Sequence, residues 1–199
     1  MATRQHEIIE ESLSYDGFFK IKCYTLRHTL FEGGWSGPIR RELFMRDDAV
    51  GVLPYDPLRD EVLMVEQFRV GLLPRERQPW VLELVAGIVE AGESPQDVAE
   101  REAIEESGCP LTALLPIHEY YSSPGGSAEY FHLLLGRVDT EGAGGIFGLP
   151  GEGEDIKVHV FPLAQALRMM HDGDIVNAHT LIALQWLQLH KQQVREQWC

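Results

Sequence analysis

Positive charge is scarce in this chain. Its 199 residues carry 17 Lys and Arg against 31 Asp and Glu, a formal net charge of −14. Such a surface repels phosphodiester backbones and anionic headgroups, which argues against a general nucleic-acid binder or an anionic-membrane binder. Cysteine is scarce too. Cys23, Cys109 and Cys199 lie far apart and are odd in number, so they suggest neither a disulfide framework nor a paired zinc spacing. No stretch approaches the about 20 apolar residues that span a bilayer. The first residues, M-A-T-R-Q-H-E-I-I-E-E-S, lack the apolar run of a secretion signal. The expectation is a cytoplasmic protein with no nucleic-acid partner and no membrane.

What is present is an ordinary globular composition, 44% hydrophobic and 24% charged. The length suits one domain with a full core and a small appendage. No internal repeat, low-complexity tract or long linker interrupts it. Residues 14–46 read as short strands, with a tight turn at Gly33-Gly34 in F-E-G-G-W-S. We divide the chain into an N-terminal β segment, 1–47, and a main domain, 48–199. In the main domain Ala49 to Leu53 and Glu61 to Phe68 read as paired strands, with Tyr55-Asp56-Pro57 turning between them. Gly71 to Pro79 reads as a polar loop and Trp80 to Val85 as one strand. Strands are expected at Leu114 to Tyr121, Tyr130 to Leu135 and Ile156 to Phe161. Amphipathic helices are expected at Leu163 to His171 and Ala178 to Trp198, the second capped by Asn177. Residues 139–154, rich in Gly and acid, are expected to form a mobile loop.

The chain is organised around Gly87 to Cys109, G-I-V-E-A-G-E-S-P-Q-D-V-A-E-R-E-A-I-E-E-S-G-C. Ser94 suits an N-cap, Pro95 the first helical position and Asp97 the first turn, while Gly108 suits a left-handed helix end. At about 100° per residue, Glu102, Glu105 and Glu106 share one narrow face. Like charges so placed repel unless something positive joins them, and hard divalent cations such as Mg²⁺ take carboxylate oxygens. E-R-E-A-I-E-E alone reads as a solvated acidic helix. The glycines and Glu93, at fixed offsets, change that reading.

These 23 residues resemble the Nudix box: G, five residues, E, seven residues, R-E-U, one residue, E-E, one residue, G-U, with U bulky and aliphatic. Every charged and Gly position matches. Ala103 and Cys109 depart at the two U positions, but both are small and apolar and can pack. The resemblance implies an α/β fold, the Nudix α/β/α sandwich with a mixed sheet, here with an additional small N-terminal antiparallel sheet. It also implies hydrolysis of a nucleoside diphosphate linked to another moiety. It makes Ala86 (through its carbonyl), Glu102, Glu105, Glu106 and Glu154 metal ligands, with Glu105 either a ligand or a holder of water. Gly87, Glu93, Arg101 and Gly108 become structural, with Glu93 pairing with Arg101.

Three further features narrow the resemblance. Pro124 follows Cys109 by 15 residues and opens S-P-G-G-S-A-E, similar to the mark of the ADP-ribose pyrophosphatases within the Nudix family. Gly125-Gly126 lets backbone approach a ligand closely, and Ser123, Pro124, Gly125 and Glu129 become substrate contacts. The acidic loop Glu152-Gly153-Glu154-Asp155 resembles the loop that supplies the general base in bacterial members. Glu152 takes that role and Glu154 a metal ligand, with the choice between the two left open. Arg40, Arg41 and Arg46 cluster in a chain poor in positive charge, and by resemblance Phe18, Phe19, Arg41, Glu42, Arg46 and Arg69 join the substrate contacts. The similarity runs over nearly the whole chain, including R-H-T-L-F-E-G-G and N-A-H-T-L-I-A-L-Q-W-L-Q-L-H.

The expectation is therefore Mg²⁺-dependent hydrolysis of ADP-ribose to AMP and ribose 5-phosphate. Two or three ions are implied, with Mn²⁺ as a substitute, in a homodimer whose subunits share sites. The alternatives are a pyrophosphatase for other nucleotide sugars, such as GDP-mannose, and a Nudix module that binds ADP-ribose without cleaving it. His118, His132, His159 and His179 are scattered, and none receives a role.

Overall fold

The computed structural model describes residues 4–75, 78–149, 151 and 153–199. They form two compact units. The first runs to Asp48 and takes in Tyr120–Tyr130; the second comprises Ala49–Glu119 and Phe131–Cys199.

The first unit holds an antiparallel sheet of β1 (His6–Asp16), β2 (Lys20–His28) and β3 (Ile39–Met45), in that order. Cross-strand ion pairs Arg27–Glu7 and Lys22–Glu11 join β2 to β1. The sheet starts earlier than residue 14, where the sequence first suggested it. Register shifts at Ile8/Glu10 and Leu13/Tyr15 break the alternation of β1. Every residue of that strand is also exposed, so no buried face marks its period. The expected turn is present, with Gly33 and Gly34 at φ of 95° and 76°, a region glycine enters without steric cost. Segment 120–130 is stitched to β3. Phe44 N–H donates to the Gly126 carbonyl at 2.8 Å, and Ala128 N–H to the Phe44 carbonyl at 3.0 Å.

In the second unit, among the described residues, β4 (Ala49–Asp56), β5 (Glu61–Phe68), β6 (Trp80–Glu83), β7 (Val85–Ile88), β8 (Ala113–Tyr121), β9 (Tyr130–Arg137), β10 (Gly145–Phe147) and β11 (Ile156–Pro162) make a mixed eight-stranded sheet. Its path is β10-β11-β5-β4-β9-β8, with β6 on β5 and β7 on β4. The β4–β9 pair is parallel. The helices are α1 (Pro95–Ser107), α2 (Leu163–Asp172) and α3 (Ala178–Trp198). β4 is buried at every residue, as a central strand covered on both faces must be. On one face Val50, Val52, Leu63, Val65 and Leu134 pack with Val98 and Ala99 of α1. On the other, Phe131 stacks on His179 of α3 with centroids 3.6 Å apart. Phe131 and Leu134 are an odd number of residues apart, so strand alternation sends them to opposite faces. The unit is a sheet between helical layers, and each fully buried Val or Leu in it contributes about 1.5–3 kcal/mol.

Three expectations for this unit need correcting. Trp80 to Val85 is not one strand. β6 pairs with β5 and β7 with β4, and at the crossover Leu84 N–H leaves the ladder and donates to Thr180 Oγ1 of α3 at 2.9 Å. The acidic stretch 139–154 is not wholly loop. Gly145–Phe147 forms β10 on the edge of β11. Its start is anchored, because Thr140 donates to Asp56 Oδ2 through N–H and hydroxyl, both at 3.1 Å. Asp56, 1% exposed, also accepts from Leu58 and Arg59 N–H through Oδ1. Few apolar residues mark this stretch, so pattern alone did not reveal a short edge strand. The expected polar loop at 71–79 also opens in a 3₁₀ turn, Val70–Leu72.

Candidate active site

Helix α1 carries the acids, and its ends are specified locally. Ser94 and Asp97 form a reciprocal capping box: Asp97 N–H donates to Ser94 Oγ at 3.2 Å, and Ser94 N–H to Asp97 Oδ2 at 3.0 Å. Pro95 occupies the first turn. Gly108 closes the helix at φ 67° with its N–H on the Ile104 carbonyl. A Cβ there would lie 2.6 Å from the Phe147 ring, so the position excludes side chains on two counts.

Arg101 is the hub beside the acids. Its Nε donates to Glu93 Oε1 at 3.0 Å and its Nη2 to Glu93 Oε2 at 3.2 Å. Its Nη1 reaches Glu102 Oε1 at 2.7 Å and Glu105 Oε2 at 3.2 Å. The fork holds the Glu93 carboxyl below the usual carboxylate range and raises the Arg101 guanidinium further. Glu93 also caps the preceding loop by accepting from Glu90 N–H.

Glu106 is 3% exposed. It accepts from Ala86 N–H through Oε2 at 3.2 Å and from Gln67 Nε2 through Oε1 at 3.4 Å. Burial pushes its carboxyl up to about 8; the Ala86 bond opposes the shift and the charge on Glu102 adds to it. Burial likewise raises Glu102, against the pull of Arg101. A Cβ on Gly87 would fall 1.9 Å from Glu102 Oε1, so Gly87 makes the space into which that carboxylate folds.

Ala86, Gly87, Glu102, Glu105, Glu106 and Glu154 line one cleft of about 280 Å³ together with Arg69 and Arg101. Glu154 is turned by Leu149 N–H, which donates to its Oε2 at 3.2 Å. Among the described residues no three acids are drawn tightly around one point, since Arg101 holds Glu102 and Glu105 while Ala86 and Gln67 hold Glu106. The donor set is nonetheless carboxylate oxygen, which hard divalent cations take. A cation would relieve both the burial and the mutual repulsion that raise Glu102 and Glu106, so the residues fit one. Glu152 lies outside the described residues.

The sequence did not single out the residues behind Arg69. Its Nε donates to Glu83 Oε1 at 2.6 Å, while Asn177, the cap of α3, donates to Glu83 Oε2 at 3.0 Å. Glu83 is 4% exposed, and burial raises its carboxyl in spite of Arg69. The available signal was a lone acid inside W-V-L-E-L-V, since a carboxylate in a buried strand requires a partner. Gln67 gave no comparable signal.

The remaining sequence candidates lie in the first unit. Phe18 is 90% exposed and meets Phe19 edge-on at 4.8 Å. The Arg46 guanidinium lies 4.9 Å from the Phe19 centroid and pairs with Glu129 at 3.1 Å. Arg41 and Glu42 sit exposed on β3, with Arg41 Nη1 on the Arg40 carbonyl. Ser123, Pro124 and Gly125 form an exposed turn in which the Ser123 carbonyl accepts from Gly126 and Ser127 N–H.

Comparison with known proteins adds the following. The family model described as NUDIX domain matches residues 45–183. An ADP-ribose pyrophosphatase of Escherichia coli (strain K12) is 47% identical over 192 residues, 96% of this chain and 92% of that protein. One from Haemophilus influenzae is 46% identical over 96% of this chain and 90% of its own length. A GDP-mannose pyrophosphatase of Cronobacter sakazakii is 32% identical over 92% and 95%. A solved structure described as an ADP compounds hydrolase superposes with a TM-score of 0.74 at 20% identity, covering 96% of this chain and 97% of that one. That last likeness concerns the fold.

Proposed function

This chain belongs to the NUDIX domain family and is a Nudix hydrolase, and from that premise we propose that it hydrolyses the pyrophosphate of ADP-ribose to AMP and ribose 5-phosphate. The observation that carries the reading is the acidic cleft, with Glu102, Glu105, Glu106 and Glu154 beside Arg69 and Arg101, in a chain that also keeps the S-P-G-G turn. Relatives named for ADP-ribose are 46–47% identical, while the Cronobacter relative named for GDP-mannose is 32% identical.

The cofactor we propose is Mg²⁺, as two or three ions, with Mn²⁺ able to replace it. Bound ions would neutralise phosphate charge and make the attacking water more acidic. Glu102, Glu105, Glu106, Glu154 and the Ala86 carbonyl would hold them. Arg101 keeps Glu102 and Glu105 oriented while Glu93 fixes Arg101 from behind. Arg69, aimed by Glu83, presents positive charge to the pyrophosphate in a protein whose net charge repels it. Glu152 takes the proton of the attacking water, a role assigned by resemblance. On the same ground Phe18, Phe19, Arg41, Glu42, Arg46, Ser123, Pro124, Gly125 and Glu129 contact the substrate. We also propose a cytoplasmic homodimer, with residues 1–47 supplying dimer and substrate contacts and 48–199 the catalytic domain. The exposed Ile8, Ile9, Leu13 and Phe31 of the N-terminal segment supply the apolar surface for that association.

The test is product analysis with ADP-ribose and a panel of nucleotide sugars, with and without Mg²⁺. The expected result is magnesium-dependent AMP and ribose 5-phosphate, with ADP-ribose the best substrate. Faster cleavage of GDP-mannose would overturn the substrate, and tight binding without turnover would overturn the reaction.

A further inference from the structure

Gln67, Glu83 and Glu106 form a buried polar group beside the acidic cleft, each no more than 5% exposed. They come from three elements, β5, β6 and α1. Glu83 stands opposite Val65 in the β5–β6 ladder. Gln67 lies two residues on from Val65, so Gln67 and Glu83 are diagonal neighbours on one face of the sheet. Val65 packs with Val98 and Ala99 of α1, which sets that face against the helix that carries Glu106. Gln67 Nε2 reaches Glu106 Oε1 at 3.4 Å. On the other side, burial raises the Glu83 carboxyl, and Arg69, Asn177 and the Gln67 amide oppose the shift. An ionised carboxylate can only accept, while an amide NH2 has two hydrogens to donate. One neutral side chain thus serves two buried acids.

Arg69 gives this arrangement its consequence. Its Nε and Nη2 both meet Glu83 Oε1 at 2.6 Å. Its charge also reaches Glu106, and the two residues line the same cleft. A guanidinium that swung from Glu83 onto Glu106 would neutralise the carboxylate that a cation needs. A buried carboxylate short of a donor draws one strongly. Gln67 supplies that donor without bringing a charge.

We propose that Gln67 is a positioning residue: set between Glu83 and Glu106, its neutral amide keeps the Arg69 guanidinium on Glu83 and off Glu106, leaving the Glu106 carboxylate open to a divalent cation. This rests on the metal reading given above. A charged residue in its place fails in either direction. Lys would occupy Glu106 as Arg69 would, and Glu would add a third buried acid.

The experiment is calorimetric titration with Mn²⁺ of the unaltered protein, Gln67→Met, Arg69→Ala and the double variant Gln67→Met/Arg69→Ala. Met is close to Gln in length and bulk and donates nothing. Gln67→Met is expected to bind Mn²⁺ about 10–100-fold more weakly, and the Mn²⁺ concentration that half-activates ADP-ribose turnover is expected to rise by the same factor. Arg69→Ala is expected not to weaken Mn²⁺ binding. The double variant is expected to recover the affinity of Arg69→Ala, because the competing guanidinium is gone. Unchanged affinity in Gln67→Met overturns the proposal. Affinity that stays low in the double variant overturns it too, since Gln67 then holds Glu106 for its own sake and Arg69 plays no part. If Gln67→Met does not fold, Gln67→Asn takes its place with the same outcomes, its shorter amide retracted from a contact already 3.4 Å long. If the unaltered protein binds Mn²⁺ without cleaving ADP-ribose, the substrate reading fails and the titrations still decide on Gln67. If it binds no Mn²⁺, the metal reading fails and this proposal falls with it.

Discussion

Arg101 and Glu93 meet in a two-point fork, eight residues apart, that ties the acidic helix to the loop before it. The same guanidinium turns its remaining nitrogen on Glu102 and Glu105. Removing Glu93 leaves Arg101 free to swing and to carry two proposed ligands with it. We expect Glu93→Ala to weaken divalent-cation affinity by about 10–100-fold, with the fold retained. Calorimetric titration with Mn²⁺ measures it; unchanged affinity would make the fork irrelevant to the cleft.

Glu106→Gln should separate stability from activity. A buried ionised carboxylate is costly, and Gln is a neutral isostere that still accepts the Ala86 N–H. The metal-free variant is expected to melt no lower than the unaltered protein and to lose turnover by orders of magnitude. Calorimetric melting beside product assays would show both. Retained turnover would remove Glu106 from the catalytic centre.

The glycines differ in kind. Gly108→Ala forces a left-handed conformation on an L-residue and drives a methyl group toward Phe147. It should cost about 1–2 kcal/mol or more. Gly125→Ala has neither problem, so it should leave the melting temperature unchanged and raise KM. If Gly125→Ala destabilises the fold instead, the turn is structural.

The Asp56 cluster should make the fold acid-sensitive. Burial would raise this carboxyl, but N–H groups of Arg59, Thr140 and Leu58 outweigh it and hold the folded value below the usual range. Stability from this group is therefore full above the unfolded pKa, about 3.9, and is lost as pH falls through the folded value. Asp56→Asn should be about 1–3 kcal/mol less stable near neutral pH, and the gap should close in acid. Denaturant melts from pH 7 downward measure the gap, and a constant difference would rule out the linkage.

How far the sequence could be read depended on where the determining interactions lie. The capping box, Pro95 and Gly108 are local, so the ends of α1 were legible to the residue. The Asn177 cap was legible for the same reason. The fork between Glu93 and Arg101 followed from the resemblance. What escaped depends on long-range partners. Glu83 acquires its place through Arg69 and Asn177, 94 residues apart from the latter. The edge strand β10 exists because β11 offers it a ladder. The bulges of β1 removed the period by which a strand is recognised. That Glu129 pairs with Arg46 and Ser122 was not legible either, because nothing in S-P-G-G-S-A-E points to those partners.

The strand switch at Leu84 constrains how this protein can vary. Glu83, which aims Arg69, belongs to the β5 ladder, and Ala86, which meets Glu106, belongs to the β4 ladder. The three-residue interval between them works as a ruler between two independent registers. Gaining or losing one residue there would reverse the facing of one side chain relative to the other. Related chains can lengthen or shorten their surface turns, but length variation in this interval should be counter-selected even where every amino-acid type is tolerated.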